Sequence, residues 1–181
     1  KEEEVVVLIS KLGYIKRVPL TQYKAQSRGG KGSLSATLIE GDYINQIFTA
    51  TTKSYITFFT NEGKVYWIKV HEIPEASRSS RGSSIKSLIQ LNPDEEISTI
   101  VTMSDYRDDE YIFMATANGI VKKCVTTEFA NAKTRGVIGI KLRDGDKLVS
   151  AIMTSGKDDL MLITRRGQAL RLNEESVRPM G

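Results

Sequence analysis

Short apolar runs, each followed closely by a glycine, recur at nearly regular intervals along the 181-residue chain. These runs and their glycines are Val5–Ile9 with Gly13, Tyr55–Phe59 with Gly63, Tyr111–Met114 with Gly119, and Leu160–Ile163 with Gly167. The glycines lie roughly 50 residues apart, and regular self-similarity on this scale is typical of repeat architectures. A second glycine follows at a similar offset in the first three cases, at Gly32, Gly82 and Gly136. The pattern predicts four repeats, the last one partial.

Each repeat is predicted to contain four short strands. In the third repeat, Tyr111–Ala115 is followed by Asn118-Gly119, a dipeptide favoured in two-residue hairpins, and Ile120–Val125 returns as the second strand. The remaining predicted second strands are Tyr14–Val18 and Val65–Val70, the third strands are Leu34–Ile39, Ile85–Leu91 and Val137–Leu142, and the fourth strands are Ile44–Ala50, Ile97–Met103 and Leu148–Met153. Helical periodicity is weak, so we expect Leu20–Ala25 and Pro74–Arg78 to form a turn at most.

Units of about 50 residues with four strands each are typical of propeller blades. We therefore predict an all-β, propeller-like domain over residues 1–181, with blades at approximately 5–52, 53–105 and 109–156 and a partial blade at 158–181. A blade must hide one apolar face and protect its edges, so it needs neighbours. Because three and a half blades do not close a small ring, we expect further repeats in the intact protein.

Basic residues concentrate in the predicted second strands and in the long loops that follow them. Between Lys11 and Ile39 there are six Lys or Arg and no Asp or Glu. Most carboxylates lie elsewhere, with 16 of the 22 at the start of the chain, in the turns before the fourth strands and between repeats. A layout of one sign that recurs from repeat to repeat favours a polyanion-binding surface over a random scatter of charge.

One heptapeptide in the basic stretch, Gln26-Ser27-Arg28-Gly29-Gly30-Lys31-Gly32, combines flexibility with charge. Glycine tolerates positive φ and has no side chain, so this backbone can turn sharply and lie against a ligand. Two fixed cations and the amide of Gln26 add donors suited to a phosphate. The segment is not a P-loop, because no Gly-Lys-[Ser/Thr] sequence occurs in it.

Catalytic and metal-binding chemistry has few candidates in this sequence. His71 is the only histidine, so histidine-based metal clusters and nucleophile–base pairs lack partners. Cys124 is the only cysteine; it excludes an internal disulfide, suits a reducing cytosol, and is expected to be a buried structural thiol. No apolar run has spanning length, and the acidic opening is not typical of a signal peptide. We expect a cytoplasmic chain with no cofactor, metal or catalytic site. We also expect it to be part of a longer protein, since no initiator Met is present.

The heptapeptide resembles the box motif in the C-terminal domains of DNA gyrase A proteins, usually Gln-[Arg/Lys]-Arg-Gly-Gly-[Arg/Lys]-Gly. Ser27 departs from that pattern, because the family usually has a cation there. Further similarity covers essentially the whole chain and lies at Gly63–Tyr66, Ile73–Ala76, Phe113–Gly119, Ile140–Leu142, Asp144–Asp146, Ser176–Arg178 and Met180–Gly181. The predicted DNA contacts are Gln26, Arg28, Gly29, Gly30, Lys31 and Gly32, with Lys16, Arg17, Lys24, Arg78, Arg81, Lys122, Lys123, Lys133, Arg135, Arg171 and Arg178.

The resemblance implies a β-pinwheel, a propeller variant whose neighbouring blades exchange strands. It implies a non-catalytic domain of an ATP-dependent type IIA topoisomerase, associated with the nucleoid, that wraps double-stranded DNA without sequence preference and so directs negative supercoiling. The implied partners are DNA, the rest of the gyrase A protein and the gyrase B protein, and no membrane. The alternatives are a topoisomerase IV C-terminal domain, which typically has a degenerate box, and a protein-interaction propeller, which predicts no salt-linked DNA affinity.

Overall fold

The computed structural model describes residues 1–27, 40–77, 79–164 and 166–181. The strands are β1 (Glu4–Ser10), β2 (Tyr14–Pro19), β3 (Ile44–Thr51), β4 (Tyr55–Thr60), β5 (Lys64–Lys69), β6 (Ser83–Ser84), β7 (Ile97–Met103), β8 (Tyr111–Thr116), β9 (Val121–Val125), β10 (Val137–Ile138), β11 (Leu148–Thr154), β12 (Asp159–Ile163) and β13 (Ala169–Asn173). The helices are α1 (Leu20–Ser27) and short 3-10 segments at Val70–Glu72, Ile85–Ser87, Thr126–Phe129 and Glu174–Ser176.

The chain divides into two compact units. The first unit comprises Lys1–Ile56, Trp67–Leu91 and Thr102–Ser104, and the second comprises Thr57–Tyr66, Asn92–Val101 and Asp105–Gly181. Antiparallel pairing of β1 with β2 and β3 builds the first unit, whereas β8 pairs with β9 and β11 in the second. The first, second and fourth strands predicted from the apolar runs are confirmed in the first three repeats, and β12 and β13 form the hairpin of the fourth.

The third strand of a repeat joins the sheet of the preceding repeat. In the first unit the sheet order is β3-β1-β2-β6, and β6 of the second repeat pairs with β2 through Ser84 to Tyr14 and Ser83 to Ile15. In the second unit β10 of the third repeat pairs with β5 of the second repeat. This confirms an all-β repeat fold with exchanged strands.

The third strands are much shorter than predicted. Only Ser83–Ser84 and Val137–Ile138 are extended, whereas seven- and six-residue strands were expected at Ile85–Leu91 and Val137–Leu142. Ile85 and Ile89 are buried, but they lie in and just after a 3-10 turn, so their apolar pattern reflects burial of an irregular segment. The predicted strand at Leu34–Ile39 lies outside the described residues.

Helix α1 is the second departure, because only a turn was expected there. Its eight residues, Leu20–Ser27, follow β2 directly. Leu20 and Tyr23 pack against the buried cluster of Val6, Leu8 and Val18. The helix therefore packs through Leu20 and Tyr23 near its start, and such contacts leave little periodicity in the sequence.

A hydroxyl group closes the hairpin turn of every repeat. The backbone N–H four residues onward donates to Ser10, Thr60, Thr116 and Thr164 Oγ at 3.1, 3.4, 3.1 and 3.2 Å. In the third repeat Thr116 N also donates to Ile120 O at 2.9 Å. The predicted hairpin turn is thus confirmed as the three-residue loop Ala117-Asn118-Gly119, which ends in a glycine at φ +85°, although Asn-Gly is favoured in two-residue loops.

Carboxylates that precede the fourth strands support these turns. Asp146 Oδ1 accepts the N–H groups of Asn118 at 3.0 Å and Lys147 at 2.8 Å. Asp42 Oδ1 likewise accepts the N–H groups of Leu12 and Tyr43, both at 2.9 Å. Some of the acids concentrated at these turns therefore serve to fix one hairpin turn to the next strand of the same repeat.

Candidate nucleic-acid interface

Arg81 is exposed on a loop that is fixed against β2 in the first unit. The next residue, Gly82, has φ +87°, and a side chain there would clash with the carbonyl oxygen of Ile15. The Arg81 guanidinium carbon lies 5.0 Å from the centre of the Tyr14 ring. An arginine over an aromatic face is held in place while its edges remain free to donate.

Arg135 occupies a comparable position in the second unit. It is exposed, and the following Gly136 has φ +81° and leaves no room for a side chain, since an added Cβ would lie 2.5 Å from Tyr66 Cε1. Tyr66 is buried and donates its hydroxyl to Glu95 Oε1 at 2.8 Å. Burial, followed by that carboxylate, raises the pKa of the Tyr66 phenol. The buried ring therefore fixes the position of Gly136. Lys133, two residues before Arg135, is also exposed.

The two arginines belong to a short motif that recurs in the sequence. It reads Ser80-Arg81-Gly82 and Thr134-Arg135-Gly136, and the same pattern stands at Ser27-Arg28-Gly29. The signal for this motif in the sequence is a hydroxyl residue, an arginine and a glycine in direct succession, and neither the spacing of the glycines nor the number of cations reveals it. Arg28–Gly32 and Arg78 lie outside the described residues, and Gln26 belongs to the last turn of α1.

Two lysines predicted to contact DNA are buried instead. Lys16 is 2% exposed, and its ammonium donates to Ser77 O at 3.2 Å and Ser80 O at 2.6 Å. Lys123 is 3% exposed and pairs with Glu174 Oε1 at 3.2 Å. A phosphate cannot reach an ammonium enclosed in this way, so neither lysine belongs to the interface that we propose.

Their neighbours on the same strands are also engaged within the fold. Arg17 donates to Ile73 O at 2.6 Å and to Glu75 Oε2 at 3.3 Å, and only 16% of its side chain is exposed. The half-buried Lys122 donates to Gly139 O at 2.9 Å. The basic residues of β2 and β9 that were predicted to contact DNA therefore bond within the fold, whereas Arg81, Lys133 and Arg135 on the loops are exposed.

The remaining predicted contacts are exposed but differ in their surroundings. Lys24 lies in the last turn of α1, and Arg178 follows the final 3-10 segment. Arg171 is exposed on β13, where its guanidinium lies 2.7 Å from Asp159 Oδ2. The hydrogen bond and charge of Arg171 lower the pKa of the Asp159 carboxyl. This partner competes with any phosphate for Arg171, which makes it the weakest exposed candidate.

The structure locates the metal-binding and thiol candidates that the sequence offered. Within those residues there is no group of three or more His, Cys, Asp or Glu that could hold a metal ion. Cys124 is buried, as predicted, and burial raises the pKa of its thiol. Among the same residues no helix is long and apolar enough to span a membrane.

Comparison with solved structures places this fold in a known class. The chain superimposes on a gyrase A C-terminal domain with TM-score 0.77 at 35% identity, over 98% of this chain and 57% of that one. A C-terminal domain of DNA topoisomerase IV gives TM-score 0.82 at 29% identity, over 100% of this chain and 55% of the other. The exchanged strands and repeated loops thus define a propeller-like C-terminal domain of the topoisomerase class.

Sequence relatives narrow the class to one family. The family model described as the DNA gyrase C-terminal domain, beta-propeller, matches residues 4–51, 54–102, 110–155 and 158–181. The DNA gyrase A protein of Treponema pallidum is 55% identical over 181 residues, and that of Escherichia coli K12 is 45% identical over 180. The chain belongs to the DNA gyrase A C-terminal domain family. It spans 22% and 21% of the lengths of those two relatives.

Proposed function

We propose that this chain binds duplex DNA through the phosphate backbone and bends it without reading the base sequence. The observation that carries the proposal is the repeated Arg-Gly loop, in which Arg81 and Arg135 are exposed while the glycine after each is seated against a buried strand. A guanidinium donates to phosphate oxygens in a fork geometry. Because the packed glycine already fixes the backbone next to each arginine, little backbone freedom is lost on binding.

Bending is compatible with this set of contacts. A smooth bend of 20–30 bp requires on the order of 1–6 kcal/mol. Each Lys or Arg that neutralises a phosphate releases counterions, and several such contacts offset the bending energy without base readout. The contacts that we propose are Gln26, Arg28, Gly29, Gly30, Lys31 and Gly32 of the heptapeptide, with Lys24, Arg78, Arg81, Lys133, Arg135 and Arg178.

We propose that a longer gyrase A protein would supply the rest of the activity. In it the chain would wrap DNA next to the remainder of a gyrase A protein and its gyrase B partner, in the cytoplasm at the nucleoid. The handedness of the wrap would direct ATP-dependent strand passage towards negative supercoils. The identity of the sequence relatives does not favour the topoisomerase IV alternative.

Salt dependence tests the proposal most simply. Affinity for two unrelated duplexes of about 40 bp would be measured by fluorescence anisotropy over a salt series. If roughly five phosphates are neutralised, log K should fall against log[salt] with a slope of about −4 to −5 for both sequences. A slope near zero would favour a protein-interaction propeller, and a strong preference for one duplex would contradict backbone recognition.

A further inference from the structure

The buried ammonium of Lys16 donates to the backbone of a distant loop in the first unit. Burying an ammonium is unfavourable unless it is fully hydrogen-bonded, and Lys16 is 2% exposed. Its bonds to Ser77 O and Ser80 O reach a loop more than sixty residues further along the chain. An apolar residue would fill the same space without burying a charge, but it could not donate to these two carbonyls of the loop.

The loop that Lys16 holds is the one that presents Arg81. Ser80 N donates to Ser77 O at 3.1 Å, which closes a turn, and the carbonyls of its first and last residues, Ser77 and Ser80, accept from the Lys16 ammonium. Arg81 follows immediately. Gly82 N donates to Ser80 Oγ at 3.2 Å, so the residues on both sides of the arginine are fixed.

The same strand also fixes the arginine side chain. Tyr14 and Lys16 are two residues apart on β2, and side chains at this spacing lie on the same face of a strand. The Arg81 guanidinium lies over the Tyr14 ring, at 5.0 Å from its centre. Strand β2 of the first repeat therefore contacts both the backbone and the side chain of the arginine loop that the second repeat supplies.

We propose that Lys16 is a positioning residue that acts on DNA through Arg81 and does not itself touch phosphate. The proposal rests on the proposed function. In it, the phosphate contact of the second repeat depends on a strand of the first, so exchange of β6 into the first sheet also transmits the position of the arginine. A lysine with a purely structural role would change stability without being coupled to Arg81.

A double-mutant cycle in the 181-residue chain separates these roles. Duplex affinity and its salt slope would be measured for Lys16→Met, Arg81→Ala, the double variant and Lys86→Met, which removes an exposed lysine from the nearby 3-10 segment. Arg81→Ala should weaken binding by about tenfold and make the slope shallower by about 1. Lys16→Met should come close to that loss, and the double variant should be no weaker than Arg81→Ala alone. Lys86→Met should have a smaller effect, and Lys16→Arg should recover part of the affinity.

A second variant protects the test against a failure of Lys16→Met to fold, which thermal unfolding would reveal. Tyr14→Leu removes the ring beneath the guanidinium at a half-buried position, and its loss of affinity should likewise vanish in the Arg81→Ala background. Losses that add, or a Lys16→Met effect equal to that of Lys86→Met, would overturn the inference while leaving the proposed function in place. Absence of salt-dependent duplex binding in the unsubstituted chain would overturn both.

Discussion

At the scale of single residues, lysines of the third repeat divide between stabilising the fold and facing solvent. Lys123 pairs with Glu174, which is fully buried and also accepts from Thr154 Oγ1 at 2.9 Å and Asp158 N at 2.7 Å. Lys133 is exposed on the loop of Arg135. Substitution of lysine is therefore expected to lower the free energy of unfolding at position 123 and to weaken DNA binding at position 133.

Lys123→Met should destabilise the chain strongly. The substitution leaves the buried Glu174 carboxylate without its counter-charge, and removing one partner of a buried pair costs about 3–5 kcal/mol. Urea unfolding would give the free energy of unfolding, and DNA titrations below the transition would give the salt slope. We expect a large drop in the free energy of unfolding and no change in the salt slope. A shallower slope in the folded variant would instead show that Lys123 reaches phosphate.

Lys133→Ala and Arg135→Ala should show the reverse pattern. Both side chains are exposed, so each substitution should change the free energy of unfolding by no more than about 0.5 kcal/mol. Each should make the salt slope shallower by about 0.9, the value for one phosphate contact. Lys157→Ala, at an exposed lysine outside the proposed contacts, is the matched control for loss of one positive charge. Equal slopes for all three variants would contradict a specific role for the arginine loop.

At the scale of elements, the glycine after the arginine is the part of the loop that packing constrains. Gly136 has positive φ and touches the Tyr66 ring, whereas Gly145 has a similar φ of +77° with no atom within 4 Å of an added Cβ. Gly145→Ala should therefore cost only backbone strain, about 1 kcal/mol. Gly136→Ala should cost a further 1–3 kcal/mol or so, because the ring must move. Thermal unfolding of the two variants measures both losses of stability. Similar losses would mean that the Tyr66 ring moves aside easily.

Carboxylates that accept backbone N–H groups at the hairpin turns, such as Asp146, make the free energy of unfolding depend on pH. The Thr116 hydroxyl, followed by the N–H groups of Lys147 and Asn118, holds the pKa of Asp146 below its ordinary value. Such a group stabilises the fold above the pKa of the unfolded chain, about 3.9, and this contribution is lost as pH falls through the lower folded value. Asp146→Asn should therefore flatten the acid side of the stability profile. Asp144→Asn, in the same turn, controls for loss of one carboxylate. Identical pH profiles for both variants would exclude a special contribution from the contacts of Asp146.

The sequence predicts the strands well and the positions of charges poorly, for physical reasons that particular residues illustrate. Strands such as β1 are continuous apolar runs buried on both faces, and that pattern is local. Whether an ammonium faces a phosphate or a carbonyl depends on what lies opposite, as Lys16 and Lys123 show. Helix α1 and the two-residue third strands likewise depend on packing partners that are distant in sequence.

At the scale of the whole chain, a net charge of only +4 is consistent with binding a polyanion because the opposite charges have different uses. Carboxylates such as Asp42 and Asp146 accept backbone N–H groups at turns, and Glu174 is buried. The loop residues Arg81 and Arg135 are exposed, and we propose that they face the DNA. The distribution of charge, more than its sum, therefore underlies the proposed affinity for DNA.

Bending by this chain should have one sign, because the backbone at each loop arginine is held by the packing of the glycine that follows it. The most direct test is to relax circular DNA with a nicking-closing enzyme in the presence of increasing amounts of the chain, and then to resolve the topoisomers after the protein is removed. We predict a linking-number shift of constant sign that grows with bound protein and shrinks in the Arg81→Ala/Arg135→Ala variant. An unchanged distribution of topoisomers, at concentrations where anisotropy shows the DNA to be saturated, would contradict the account.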